Sequence, residues 1–186
     1  MSYTHIVNDN IDAMIKKRTK TVTLTFLREQ LLYDIKNIAY VAGDVLPDEA
    51  QDSKHQVQDI GEDGNIDRVT RMLDLALSRC REKLYPYTKT EVVSGTVLND
   101  VLTDTSTYRI DMLVPDDFSD TTVKYLEQLI HNLLVYYVLA DWMSIANKAD
   151  PKAAVYWAGM ADSVEEEMKN NLNARIGRVR KSQSPF

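Results

Sequence analysis

Three histidines, His5, His55 and His131, and one cysteine, Cys80, are the side chains best suited to act as acid, base or nucleophile near neutral pH. His131 sits among apolar residues, and Asp141, ten residues further on, is too far along a helix to pair with it. It therefore reads as a helix-edge or core-boundary histidine. Cys80 falls on an apolar stripe and reads as a buried, inert thiol. With one cysteine there is no intramolecular disulfide, and no Cys/His cluster offers a structural zinc site. The consecutive Glu165, Glu166 and Glu167 fan around a helix axis and read as a solvated face. Asp116 and Asp117 stand ahead of a helix, where carboxylates are favoured electrostatically without any catalytic role. Residues 62–67 have a hint of a calcium loop but lack the alternating oxygen ligands and closing glutamate of an EF-hand. No glycine-rich phosphate loop and no nucleophile elbow occurs. An enzyme reading would have to rest on a cleft acid such as Glu165 with no visible partner, so neither an enzyme nor a cofactor is expected.

The remaining chemically distinct stretch is the C-terminal one. Arg175, Arg178, Arg180 and Lys181 put four positive charges and no acid into residues 175–186, which end in Phe186. The whole chain carries −6, so residues 1–174 carry −10. Such a tail suits phosphates, an acidic groove on a protein, or simply the negative end of a helix dipole. Beside an acidic body and without a recognition motif it is a weak footprint for DNA. A helical nucleic-acid-binding or regulatory protein acting through this tail is the alternative reading.

What must position these groups is a helical body. Leu126 to Trp142, LEQLIHNLLVYYVLADW, is the densest apolar run, and from Leu133 to Leu139 it is apolar nearly all round. That predicts a core helix buried on several sides, with Leu126, Ile130, Leu133, Leu134, Tyr137 and Trp142 inside. Its polar interruptions, Glu127, Gln128, His131, Asn132 and Asp141, argue against a membrane span. Upstream, Leu27, Leu31, Ile35, Ile38, Ala42 and Val45 step at helical spacing, giving a helix from about Thr23 to Val45 that Pro47 ends. TVTLTF (Thr21 to Phe26) alternates like a strand and is the weakest part of that helix. A short helix around Ile11, Met14 and Ile15 precedes it.

Pro47 to Asn65 is polar and without period, which predicts a long loop that contacts a partner. Asn65 then caps a helix through Leu84, with Val69, Met72, Leu73, Ala76, Leu77 and Cys80 on one face. Residues 87–115 change period: Glu91 to Val93 and Thr107 to Ile110 read as strands, with Gly95, Asn99, Asp100, Asp104 and Ser106 as turn formers. Two strands alone are marginal in water, so this insertion must rest on the helices or be completed by a neighbouring subunit. Val114-Pro115-Asp116-Asp117-Phe118 leads into the core helix, from about Thr121 to Asn147, with Ser119 or Asp120 as its cap. Asp150-Pro151 starts a last helix carrying Ala154, Trp157, Ala161, Val164, Met168 and Leu172, which Gly177 stops.

The expected fold is mainly α: a bundle of about four helices with a β-hairpin or small sheet inserted between the second and third long helices. One domain covers residues 1–174, followed by the basic tail. The composition, 44% hydrophobic and 27% charged, excludes the disordered and collagen-like classes. MSYTHIVNDNID does not read as a signal peptide, and synthesis in a reducing cytosol is expected.

The order of helix, long loop, helix, β insertion, VPDDF entry, apolar helix ending in Trp142 and DPKAAVYWAGMADSVEEEMKNNL helix resembles the head-to-tail adaptor, or connector, proteins of tailed bacteriophages. The positions that carry the resemblance are Val114 to Phe118, Tyr136, Tyr137, Trp142 and Ala153 to Trp157. It implies a non-enzymatic virion protein made in the host cytoplasm. It implies a ring, usually of twelve copies, below the portal, which continues the DNA channel without binding DNA specifically and offers a docking surface to the next neck or tail ring. It also implies that the C-terminal segment, Arg175 to Phe186, inserts into the portal protein; no membrane is involved. An acidic lumen is compatible with passing DNA without holding it.

Overall fold

The computed structural model describes residues 19–47, 51–89, 106–147, 150 and 152–174. Strand β1 (Thr19–Leu27) is followed by helices α1 (Arg28–Asp44), α2 (Gln51–Gln58) and α3 (Asp63–Lys83), then strand β2 (Thr107–Pro115) and helices α4 (Asp120–Ala146) and α5 (Lys152–Ala174). The expected helix around Ile11 and the 90–105 part of the insertion lie outside the described residues, as does the stop at Gly177.

Helix α4 is the centre. Leu126, Ile130, Leu133, Leu134 and Leu139 have no exposed surface, and Val135 and Val138 on other sides of the helix are also buried. Each such side chain contributes roughly 1.5–3 kcal/mol by leaving water. Among the described residues α4 is the one helix long and apolar enough to cross a membrane, and here its apolar positions pack inside the protein. Helix α5 runs back along it, burying Ala161, Met168 and Leu172. The Asp150 carboxylate accepts the Lys152 backbone N–H at 3.1 Å, which caps the start of α5 as the Asp-Pro pair predicts. Ser119 takes the cap position of α4 without a side-chain cap bond.

The first correction concerns Thr19 to Leu27. These residues form a strand, and the helix begins only at Arg28. Thr19, Thr21, Thr23 and Thr25 alternate with Val22, Leu24 and Phe26, so period two governs, and threonine's branched Cβ disfavours a helix. Leu24 and Phe26 point into the core. Strand β1 pairs antiparallel with β2 in one unbroken register, Thr19 opposite Pro115 and Leu27 opposite Thr107, to make a two-stranded sheet. The inner face of β2 supplies Tyr108, Ile110, Met112 and Val114, so the sheet rests on the helices.

The second correction concerns Pro47 to Asn65. Instead of a long loop, this stretch holds α2 and a 3-10 turn, Asp59–Gly61, with Val57 and Ile60 buried. Helix α2 lies close over α1: a Cβ on Gly43 would stand 2.7 Å from the Gln58 side chain and 3.0 Å from the Lys54 carbonyl oxygen. The Trp142 indole N–H donates to the Val57 carbonyl at 3.0 Å, tying α2 to α4. Helix α3 starts at Asp63, so Asn65 is not its cap; the Asn65 amide donates instead to the Asp59 carbonyl at 2.8 Å.

Candidate functional site

Glu165 is the best-connected acid. Its carboxylate accepts from Lys83 of α3 at 2.8 Å, from Lys169 at 2.6 Å and from the Tyr137 hydroxyl of α4 at 3.1 Å. Burial alone would raise its pKa, but the bonds from Lys169, Lys83 and Tyr137 outweigh this and pull it down to about 2. Burial, followed by the bond to Glu165, holds the Tyr137 hydroxyl above its usual range, and the Arg79 guanidinium lies 5.2 Å from the centre of the Tyr137 ring. The expectation that Glu165 belongs to a solvated face is therefore corrected; Glu166 and Glu167 are exposed, while Glu165 clamps α3, α4 and α5. An acid ionised down to about pH 2 serves as a structural anion, not as a proton donor near neutrality. Cys80 is fully buried on α3, and burial pushes its thiol up to about 12.

His131 has a partner that no local reading could supply. Its Nε2 lies 2.7 Å from Oδ2 of Asp34 on α1, while Asp141 pairs with Arg68 at 2.7 Å. Beside this pair a groove of about 490 Å³ runs between the end of β1 and α4. Thr25, Phe26 and Leu27 form its strand side, Gln30 its α1 side, and Glu127, Gln128, His131 and Asn132 its α4 side. The charged groups at this groove are paired: Asp34 with His131, and Glu127 with Lys124 at 2.9 Å. The Gln30 amide also donates to Asp34 at 3.1 Å, which leaves the side chains of Gln128 and Asn132 as the polar part of the lining.

The two edges of the sheet differ. The Arg28 N–H donates to the Ser106 carbonyl at 3.1 Å, and this pair continues the β1–β2 register. Antiparallel pairs alternate between bonded and unbonded, so Val22, Leu24 and Phe26 bond to β2 while Thr21, Thr23, Thr25 and Leu27 turn their N–H and C=O groups outward. The same parity sends Leu113 outward from β2, where its N–H donates to the Tyr87 carbonyl at 2.8 Å. The Arg109 carbonyl accepts from Arg81 at 2.7 Å, and Pro115 has no N–H to expose. The outer edge of β2 is thus met at Arg109 and Leu113 and closed at Pro115. On β1, no described residue bonds the outward N–H groups of Thr21, Thr23, Thr25 or Leu27.

Exposed apolar side chains group on two separate helix faces, with single ones such as Leu75, Leu113 and Ile145 elsewhere. On α1, Tyr33, Tyr40 and Val41 lie opposite the buried stripe of Leu31, Ile35 and Ala39. On α5, Val155 and Tyr156 are exposed beside Trp157, whose ring packs 5.5 Å from Tyr136.

Of the residues singled out in the sequence, Leu126, Ile130, Leu133, Leu134 and Trp142 are buried, and Tyr137 is half-buried at the Glu165 clamp. Arg175, Arg178, Arg180, Lys181 and Phe186 lie outside the described residues. Sequence reasoning missed Asp34 and the open edge of β1; only the threonine alternation of Thr19 to Thr25 signalled the edge. Comparison with protein-family models, curated proteins and solved structures finds no match.

Proposed function

We propose that this chain is a structural, non-enzymatic protein of a phage neck: a head-to-tail adaptor that assembles as a ring on the portal protein, continues the DNA channel, and gives the next neck or tail ring its docking surface. It is made in the host cytoplasm, ends in the virion, and uses no cofactor and no membrane. The observation that carries the reading is the passage from β2 through Pro115 to Phe118 into the core helix α4, whose far half packs Tyr136 against Trp157 of α5. This is the stretch on which the resemblance rests. A ring also needs two unlike contact surfaces on each subunit, and the apolar faces of α1 and α5 provide a pair. The basic segment from Arg175 onward is assigned to the portal.

The test is co-purification with the portal protein of the phage genome that encodes this chain. The full chain should bind as a ring visible by electron microscopy, and the full-length variant Arg175→Glu/Arg178→Glu/Arg180→Glu should lose at least about tenfold in affinity, the effect of about 1.4 kcal/mol. A chain with no affinity for the portal would refute the adaptor reading; unchanged binding by the triple variant would refute the role of the tail alone.

A further inference from the structure

The outer faces of α1 and α5 carry complementary patterns. On α1, Glu29, Tyr33, Lys36, Tyr40 and Asp44 step by four, three, four and four, so they form one stripe, and all five are exposed. Tyr33 keeps 65% and Tyr40 60% of its surface in water, and apolar surface of that size rimmed by charge marks a contact site. A groove of about 440 Å³ lies between Tyr33, Asn37 and Tyr40 and the residues Gln58, Gly61 and Glu62 beyond them. Lys36 is held along it: a Cβ on Gly61 would stand 2.5 Å from the Lys36 side chain. On α5, Lys152, Val155, Gly159, Asp162, Glu166 and Lys169 step by three or four along the exposed side, and Val155 is 72% exposed. A Cβ on Gly159 would meet nothing within 4 Å.

The charges on the two stripes run in opposite order. On α1 a lysine, Lys36, stands between the acids Glu29 and Asp44; on α5 an acid, Asp162, stands between the lysines Lys152 and Lys169. From Lys36 and from Asp162 alike, the next stripe positions lie three residues before and four after: Tyr33 and Tyr40 on α1, Gly159 and Glu166 on α5. The stripes therefore match whichever way the two helices run. Asp44 and Lys169 also hold Lys54 and Glu165 of their own chain, which makes Lys36 and Asp162 the central pair. Both helices pack on α4, and each stripe lies opposite the side its helix buries, so the two cannot meet within one copy.

We propose that the α1 stripe and its groove receive the α5 stripe of a second copy of this chain. Lys36 meets Asp162, one tyrosine ring seats on the bare backbone at Gly159, and the other donates its hydroxyl to Glu166. The mode is a helix laid in a groove, with anchors at helical spacing on both sides. Misaligned copies bring Lys36 to Lys152 or Lys169, or Asp44 to Asp162, and like charges reject them. Each copy has one receiving face and one inserting face, a head-to-tail contact that closes into a ring when its rotation allows. The inference deepens the ring reading by assigning its two unlike surfaces to each other, and it rests on that reading for closure.

The test measures self-association of the full chain by sedimentation velocity, over a concentration series into the millimolar range. The parent should associate, and Lys36→Glu and Asp162→Lys should each weaken this at least about tenfold. Mixed one to one, the two variants should regain the parent's association, because each reversed charge then meets the other across the contact. Gly159→Gln should also lose about tenfold, with a thermal midpoint no lower than the parent's, since its side chain takes the tyrosine seat without meeting its own chain. That variant keeps the test decisive where a charge reversal disturbs the fold. A parent that stays monomeric, reversals without effect, a mixture no better than its parts, or full association by Gly159→Gln each overturn the proposal. Electron microscopy of the same variants on the portal separates the two readings. Rings that survive Lys36→Glu leave the adaptor standing and the α1–α5 contact refuted; charge-dependent association by a chain that does not bind the portal does the reverse.

Discussion

The two strands of the sheet have the same length, yet among the described residues their outer edges are treated differently. Strand β2 sits between α3 and α4 in the chain, and the end of α3 with the turn after it lies along it: the Tyr87 carbonyl accepts the Leu113 N–H, and Arg81 of α3 donates to the Arg109 carbonyl. Strand β1 opens the described chain, and among the described residues its strand backbone pairs with β2 alone. The difference teaches that protection of an edge here comes from neighbouring chain together with Pro115 in the strand itself. Thr21, Thr23 and Thr25 are compatible with either state.

The largest effect that would break this comparison comes from moving proline by one position. Leu24→Pro removes an N–H that bonds to β2 and empties a core site, so it should cost about 4 kcal/mol or more in urea unfolding. Thr25→Pro removes an outward N–H and should stay within about 1 kcal/mol of the parent. Equal losses would place the Thr25 N–H in a bond and refute the assignment of the open edge.

The next effect bears on what holds the cover in place. Helix α3, which carries Arg81, is fastened to α5 through Lys83 and Glu165. Glu165→Gln should therefore destabilise the fold by about 2 kcal/mol, the order expected for a lost bond between charged groups. The pH dependence has a definite sign. Because the folded-state pKa of Glu165 is lowered from 4.5 to about 2, its contribution is complete above pH 4.5 and is lost as pH falls toward 2. Denaturation midpoints measured between those limits should fall more steeply for the parent than for the variant. Parallel curves would mean that the clamp contributes nothing.

The smallest effect is Arg81→Ala, which uncovers the Arg109 carbonyl on the β2 edge. It should cost about 1 kcal/mol and increase self-association measured by light scattering. A destabilised but equally soluble variant would show that the Arg81 bond serves stability without guarding the edge.

Much of the helical body was legible from spacing alone. The stripe of Val69, Leu73, Ala76 and Cys80 marks α3, and the all-round apolar run from Leu133 to Leu139 marks the buried centre of α4. Residues 23–27 were taken into the helix because Leu27 begins the apolar stripe of α1 and joins strand and helix without a break. The strand is decided by pairing with Thr107 to Pro115, a contact invisible to any local window. Helix α2 was hidden because only Val57 and Ile60 face inward, too few to raise a periodic signal. The His131–Asp34 pair was out of reach for the same reason as the sheet: its members lie on α4 and α1, far apart in sequence. Glu165 looked solvated because its two acidic neighbours are.

The pairing of β1 with β2 also orders events during synthesis. All of α1, α2 and α3 leave the ribosome before Thr107 does, so β1 waits without its partner strand β2 while most of the chain is made. A closure this long is slow to form, because the entropy of the enclosed loop is lost before the sheet returns any contact. Until then Leu24 and Phe26 lack their cross-strand neighbours Ile110 and Tyr108.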